Sequence, residues 1–245
     1  MKYILIATFL ALFSTLNASQ TIAKIPEASG IAYCADSKKF IVVNDEGTYY
    51  EMSKKGKILK KVKLGKFDLE GVVCEKETLL FAVENKGLLL VDRKTGQKQK
   101  ISVNPNYQGK RITLFDDKVG IEGIAKIDNF VYLAKQSKKK KSSFIAVVRL
   151  YPLPSRIVDI IPHHIPDTAG LSYHKKFLYM VSDKKDLVIK YNLKARKIEK
   201  KISLAKGAWE GIAFDNKDNM YLADDEGRVV KYKSNFYKKS FATNH

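Results

Sequence analysis

The segment Glu27-Ala-Ser-Gly-Ile-Ala-Tyr33 returns four times along the chain in altered form. The other copies are Asp68-Leu-Glu-Gly-Val-Val-Cys74, Gly120-Ile-Glu-Gly-Ile-Ala-Lys126, Asp167-Thr-Ala-Gly-Leu-Ser-Tyr173 and Ala208-Trp-Glu-Gly-Ile-Ala-Phe214. Their glycines, Gly30, Gly71, Gly123, Gly170 and Gly211, stand 41, 52, 47 and 41 residues apart. Each is followed by a turn and an apolar run (40–43, 79–83, 130–134, 177–181 and 220–223), then by a third run (48–52, 88–92, 144–150, 187–193 and 228–233). A fourth run closes four of the repeats, at 58–64, 99–103, 157–161 and 198–204. Short β-branched and aromatic runs divided by Gly, Asn, Asp and Lys turns read as antiparallel strands, and no stretch keeps a helical period. Four strands in every 40–50 residues make a propeller blade. The chain is therefore expected to be all-β, a five-bladed β-propeller of four-stranded antiparallel blades. The last repeat lacks its fourth strand, while residues 21–25 precede the first repeat without a partner. Adding that N-terminal strand to the last blade closes the ring and hides an open edge.

The 245 residues are 45% hydrophobic and 29% charged, which supplies a core and excludes general disorder. Two cysteines are too few for a disulfide scaffold or a four-thiolate zinc site. Lys2, an apolar run over 4–16 broken by Thr8, Ser14 and Thr15, and the small residues of Asn17-Ala18-Ser19 read as a signal peptide cleaved after Ala18. The run falls short of the roughly 20 residues of a spanning helix; an uncleaved anchor in the inner membrane is the other reading. Residues 1–18 are thus the expected signal peptide and 19–245 a single propeller domain, monomeric and periplasmic or secreted. The two long spacings predict insertions, one over 104–119 and one at the tip 137–143, which carries four consecutive lysines.

The first strand of a blade lines the channel and the second runs back beside it. First-strand starts and second-strand ends therefore share one face of the disc. At the starts stand Glu70, Glu122 and Glu210 directly before glycine, with Glu27 and Asp167 three residues before it. At the ends, 13 or 14 residues after each glycine, stand Asn44, Glu84, Gln136, Asp183 and Asp224, and Asp45, Asn85, Asp225 and Glu226 follow directly. Two like charges about 5 Å apart cost on the order of 3 kcal/mol at an effective dielectric of 20. Such a ring needs a counter-charge or raised pKa values. Oxygen ligands without cysteine suit a divalent cation, calcium first and then magnesium or manganese. Against this stands the common use of Asp and Asn as turn caps.

The Glu-Gly steps, with Val43-Asn-Asp-Glu-Gly47 and Ala223-Asp-Asp-Glu-Gly227 after second strands, resemble the SdiA-regulated (YjiK-like) envelope proteins over nearly the whole mature chain. The resemblance implies a five- or six-bladed exported propeller and no catalytic mechanism. A more distant likeness is to phytase-type esterase-like domains and to calcium-dependent lactonase propellers.

His163 and His164 lie near Asp167, so one could serve as a base or ligand at the channel mouth, or both could be plain loop residues. No G-x-S-x-G, H-E-x-x-H or P-loop motif occurs. Cys34 and Cys74 follow the glycines of neighbouring repeats at opposite parity, which leaves open a disulfide or two buried thiols. The net charge is +19, yet only six of the 45 cations are arginine, which argues against nucleic-acid recognition. Lysine richness fits non-specific contact with anionic membrane or cell-wall polymer, or compositional bias. Three function classes stay open. One is an envelope module that binds a cation and offers a face to a ligand or protein partner. Another is a metal-dependent hydrolase of lactones, esters or phosphoesters, with Glu70, Glu122, Glu210, Asp183 and Asp224 as ligands and His163 or His164 as base. The third is a metal-free interaction scaffold.

Overall fold

A computed structural model describes residues 19–115, 120–137 and 143–234. The expected signal peptide, the four-lysine run and the last eleven residues of the chain lie outside this set. The described residues form a five-bladed β-propeller. Blade 1 consists of Ala28–Cys34, Lys39–Asn44, Thr48–Met52 and Ile58–Lys63. Blade 2 consists of Leu69–Cys74, Thr78–Val83, Gly87–Asp92 and Lys98–Ile101, and blade 3 of Ile121–Ile127, Phe130–Lys135, Phe144–Arg149 and Ser155–Pro162. Blade 4 takes Thr168–His174, Phe177–Ser182, Leu187–Asn192 and Lys197–Ser203; blade 5 takes Trp209–Phe214, Met220–Asp224 and Arg228–Tyr232. Among the described residues, no helix is long and apolar enough to cross a membrane.

The continuous apolar runs of the second strands follow from their position between two seams. Leu79, Phe81 and Val83 point towards blade 1, while Leu80 and Ala82 point towards blade 3. Met220 and Leu222 likewise pack on blade 4, and Tyr221 and Ala223 on blade 1. Period-two alternation therefore separates two interiors instead of separating interior from solvent. The outer strands face water on more sides: Ile58–Lys63 is exposed along most of its length.

Ser19–Lys24 pairs antiparallel with Arg228–Tyr232 as the fourth strand of blade 5. It begins two residues earlier than the sequence pattern indicated and ends at Lys24. Ile25 instead turns into the closing seam, where it packs with Phe40, Tyr221 and Val229. The Phe40 and Tyr221 rings meet there at 4.2 Å. The 104–119 insertion holds more structure than a loop. Asn106–Tyr107 pairs with Lys110–Arg111, and Val103–Asn104 lies parallel to Ser155 and Arg156, adding a fifth strand to blade 3.

Cys34 and Cys74 form a disulfide between the ends of the first strands of blades 1 and 2, with Cα atoms 5.2 Å apart. Parity brought the two side chains to one seam; the inter-blade spacing, which no sequence pattern carries, made the bond.

Two stability tests follow from the ring. Deleting residues 19–26 removes the closing strand and uncovers blade 5, so the truncated protein should melt well below the mature form; an equal melting temperature would rule out the closure. The disulfide spans a sequence separation of 40. By the chain-entropy relation it should contribute roughly 4 kcal/mol, measurable as a lower denaturation midpoint in the Cys34→Ser, Cys74→Ser double variant.

Candidate functional site

Each first strand carries a register shift near its start. The shifts fall between Ala28 and Gly30, Leu69 and Gly71, Ile121 and Gly123, Thr168 and Leu171, and Trp209 and Gly211. A bulge at this point turns the extra residue out of the ladder. The residues before the glycines are Ser29, Glu70, Glu122, Ala169 and Glu210, and these occupy the matching bulge positions of the five blades. The glycines themselves form the tightest part of the channel. A Cβ on Gly30 would lie 2.8 Å from the Gly71 Cα; one on Gly170 or Gly211 would lie 3.0 Å from the next glycine's Cα. Between them remains a cavity of about 10 Å³, bordered by Glu70 and Glu210 and large enough for about one water. The glycine ring closes the channel, and the bulged carboxylates sit on one side of it.

The acidic groups there are close. One oxygen each from Asp45, Glu70 and Glu210 lies within 4.8 Å of the others, and so does a set from Asp68, Glu70 and Glu84. Glu70 and Glu122 are each 7% exposed. Burial raises the pKa of Glu70, and the charges of Glu122, Asp45, Asp68 and Glu210 raise it further. Glu122 is raised by burial and then by Glu84 and Asp167. Burial, then Asp225 and Glu122, pushes Glu210 up to about 9. Asp45 rises to about 7, chiefly through burial, and its Oδ1 is enclosed without a hydrogen-bond partner. Glu84 is raised by burial, although the Gly120 amide and Lys135 work the other way.

The remaining residues singled out in the sequence divide between this cluster and the turns. Asp183 is raised by burial and then by Asp167, and Asp167 in turn acts on Glu122, so both belong to the rim of the cluster. Glu27 is exposed and has a left-handed backbone (φ 51°), which sets it before the strand and off the bulge position. Asn44 is bound within its turn: its Oδ1 accepts from the Thr48 amide at 3.0 Å and its Nδ2 donates to the Pro26 carbonyl. Asp224 is fully buried, accepts from the Glu226 amide at 2.9 Å and pairs with Arg228. Gln136 is half-buried beside Gly120, whose carbonyl accepts from its backbone amide. His163 is 4% exposed, and its Nδ1 accepts from the Ile165 amide at 3.2 Å; His164 is exposed. Asp45, Asp68 and Asp225 were present in the motifs but lie outside the ligand set drawn from counting. The signal that could have found them is the acidic residue beside each Glu-Gly or Asn-Asp step.

A profile of the SdiA-regulated family matches residues 11–230. The chain belongs to the SdiA-regulated family. No curated protein matches the sequence. Among solved structures, this SdiA-regulated protein is similar to the glutaminyl cyclase of Myxococcus xanthus, with a TM-score of 0.63. The match covers 88% of this chain and 95% of that one at 11% identity. At that identity the likeness concerns the fold alone, and the SdiA-regulated chain shares with the cyclase a propeller-like ring.

The raised carboxyls dictate a pH response for the metal-free SdiA-regulated protein. Each holds its proton more tightly folded than unfolded. Its contribution is fully present below the ordinary carboxylate range, near 4, and is lost as pH rises through the folded value. With Asp45 at about 7 and Glu210 at about 9, melting temperature in chelator should fall steadily between pH 5 and 9. A flat or rising profile would mean that the carboxylates already have their counter-charge.

Proposed function

We propose that this protein is an exported envelope propeller whose acidic face holds a divalent cation and, through it, presents a binding face to a ligand or partner. The observation that carries the reading is the convergence of Asp45, Glu70 and Glu210 within 4.8 Å. A calcium ion bound by oxygens at about 2.3–2.6 Å spreads its ligands over distances up to about 5 Å. All-oxygen, mostly carboxylate donors favour calcium over softer ions. A buried group of this kind is otherwise left with two costly states, repelling anions or neutral acids without partners. The cation removes both. Asp68 and Glu84 from the blade of Glu70, and Glu122 from blade 3, complete the cluster, so one ion would tie several first strands together at the glycine ring.

The hydrolase reading draws less support from the geometry, because it needs a base at the cluster. His163 is buried with one ring nitrogen engaged by its own loop, and His164 faces solvent.

Metal analysis of the purified protein together with melting curves tests the reading. At a hundredfold excess over Kd, calcium should add about 2.7 kcal/mol, which for a chain of this size raises the melting temperature by roughly 5–10 °C. Chelator should remove the gain. The Glu70→Gln, Glu210→Gln double variant should lose the calcium response and, in chelator above pH 9, where Glu210 gives up its proton, melt higher than the parent. If neither chelator nor calcium moves the parent's curve, no cation is bound there.

A further inference from the structure

Beyond the glycine ring, on the face opposite the carboxylates, the channel widens into a bowl of about 360 Å³. Its floor is apolar: Ile31, Val72, Ile124 and Leu171, the residues that follow four of the motif glycines. Its walls carry Tyr33, Tyr173 and Phe214, with small residues Ala32, Ala125 and Ser172 between them. The His174 ring stacks on Phe214 at 4.6 Å and 9°, extending the aromatic wall.

The charged groups at this mouth are already matched. Lys126 pairs with Glu75 at 2.5 Å. Asp215 accepts from the Lys217 and Asn219 amides, the Asn219 side chain and the Tyr221 hydroxyl, all between 2.8 and 3.1 Å. Asp218 lies between His174 and Lys175 at 3.1 and 2.5 Å. Burial holds His174 below its ordinary value, although Asp218 works the other way. The Tyr33 hydroxyl, by contrast, is enclosed without a hydrogen-bond partner among the described residues. The bowl thus offers an apolar floor and aromatic walls, with no unpaired charge among the described residues to select an ion. Its volume sits at the lower end of the ~300–1,000 Å³ typical of small-molecule pockets.

We infer that this second mouth is a binding site for a small uncharged aromatic molecule. The ring of the ligand rests on the apolar floor and against Tyr173, the exposed aromatic of the wall. The site is separate from the acidic face, since the glycine ring stands between them, and it does not depend on the cation.

Fluorescence titration of the purified protein with naphthol, in calcium and in chelator, tests it. Naphthol should bind saturably and equally under both conditions. Naphthoate and naphthylmethylammonium, its charged counterparts, should bind at least tenfold more weakly. Ser172→Phe, which fills the bowl, and Tyr173→Ala, which removes an exposed wall without touching the core, should each weaken naphthol about tenfold. Tyr151→Ala, an exposed aromatic away from the bowl, should leave it unchanged. Non-saturable uptake, equal binding by Tyr173→Ala and the parent, or preference for a charged counterpart would each overturn the assignment. Failure of the calcium response alone would leave it standing.

Discussion

Everything in this molecule depends on how closely five backbones approach one axis. Where first strands meet, a single added methyl group would collide with the neighbouring glycine at 2.8–3.0 Å. That contact sets the radius of the ring and hence the width of every seam. It also blocks the channel, so that the two mouths become separate chemical environments. One collects carboxylates, because the bulge before each glycine turns a side chain towards the axis. The other collects apolar and aromatic groups, because the residues after each glycine resume regular alternation.

A crowd of buried carboxylates is a poor way to stabilise a ring. Burial and mutual repulsion act in the same direction on Glu70, and nothing in ordinary packing offsets them. The burden is tolerable because the seams elsewhere are dense: Ile41 and Phe81 are wholly buried between blades 1 and 2, and Leu133 between blades 2 and 3. Conserving free energy at the axis was evidently not what shaped these positions, and a strained or uncompensated cluster held by a stable scaffold is where function is sought.

Much of this was legible in the sequence. Five glycines with their following apolar runs identify the blades, and the missing last strand identifies the closure. The Glu-Gly steps mark the three carboxylates at the bulge positions. Counting along the strands did not show the bulge. The bulge gives the position of Glu70 to Ser29 in blade 1 and to Ala169 in blade 4, while Asp167 reaches the cluster from its rim. Ser29 there donates its hydroxyl to the Leu69 carbonyl of the next blade, a neutral contact in place of a charge. Asn44 and Asp224 stand at second-strand ends as counted, and their side chains close the turns that follow. Strand parity tells which way a side chain points; turn hydrogen bonds and bulges decide whether it remains available. The disulfide and the second mouth were hidden for a related reason, since both arise from distances between blades.

The closing blade has a temporal meaning as well. Ser19–Lys24 is made early and Arg228–Tyr232 among the last residues of the domain, yet each is the other's ladder partner. Until the C-terminal strands exist, the chain can form only an open arc with an unpaired edge at each end. Sequence-distant pairing of this kind slows folding and prolongs the exposure of those edges. A ring sealed in this way cannot be completed before Arg228–Tyr232 has been made.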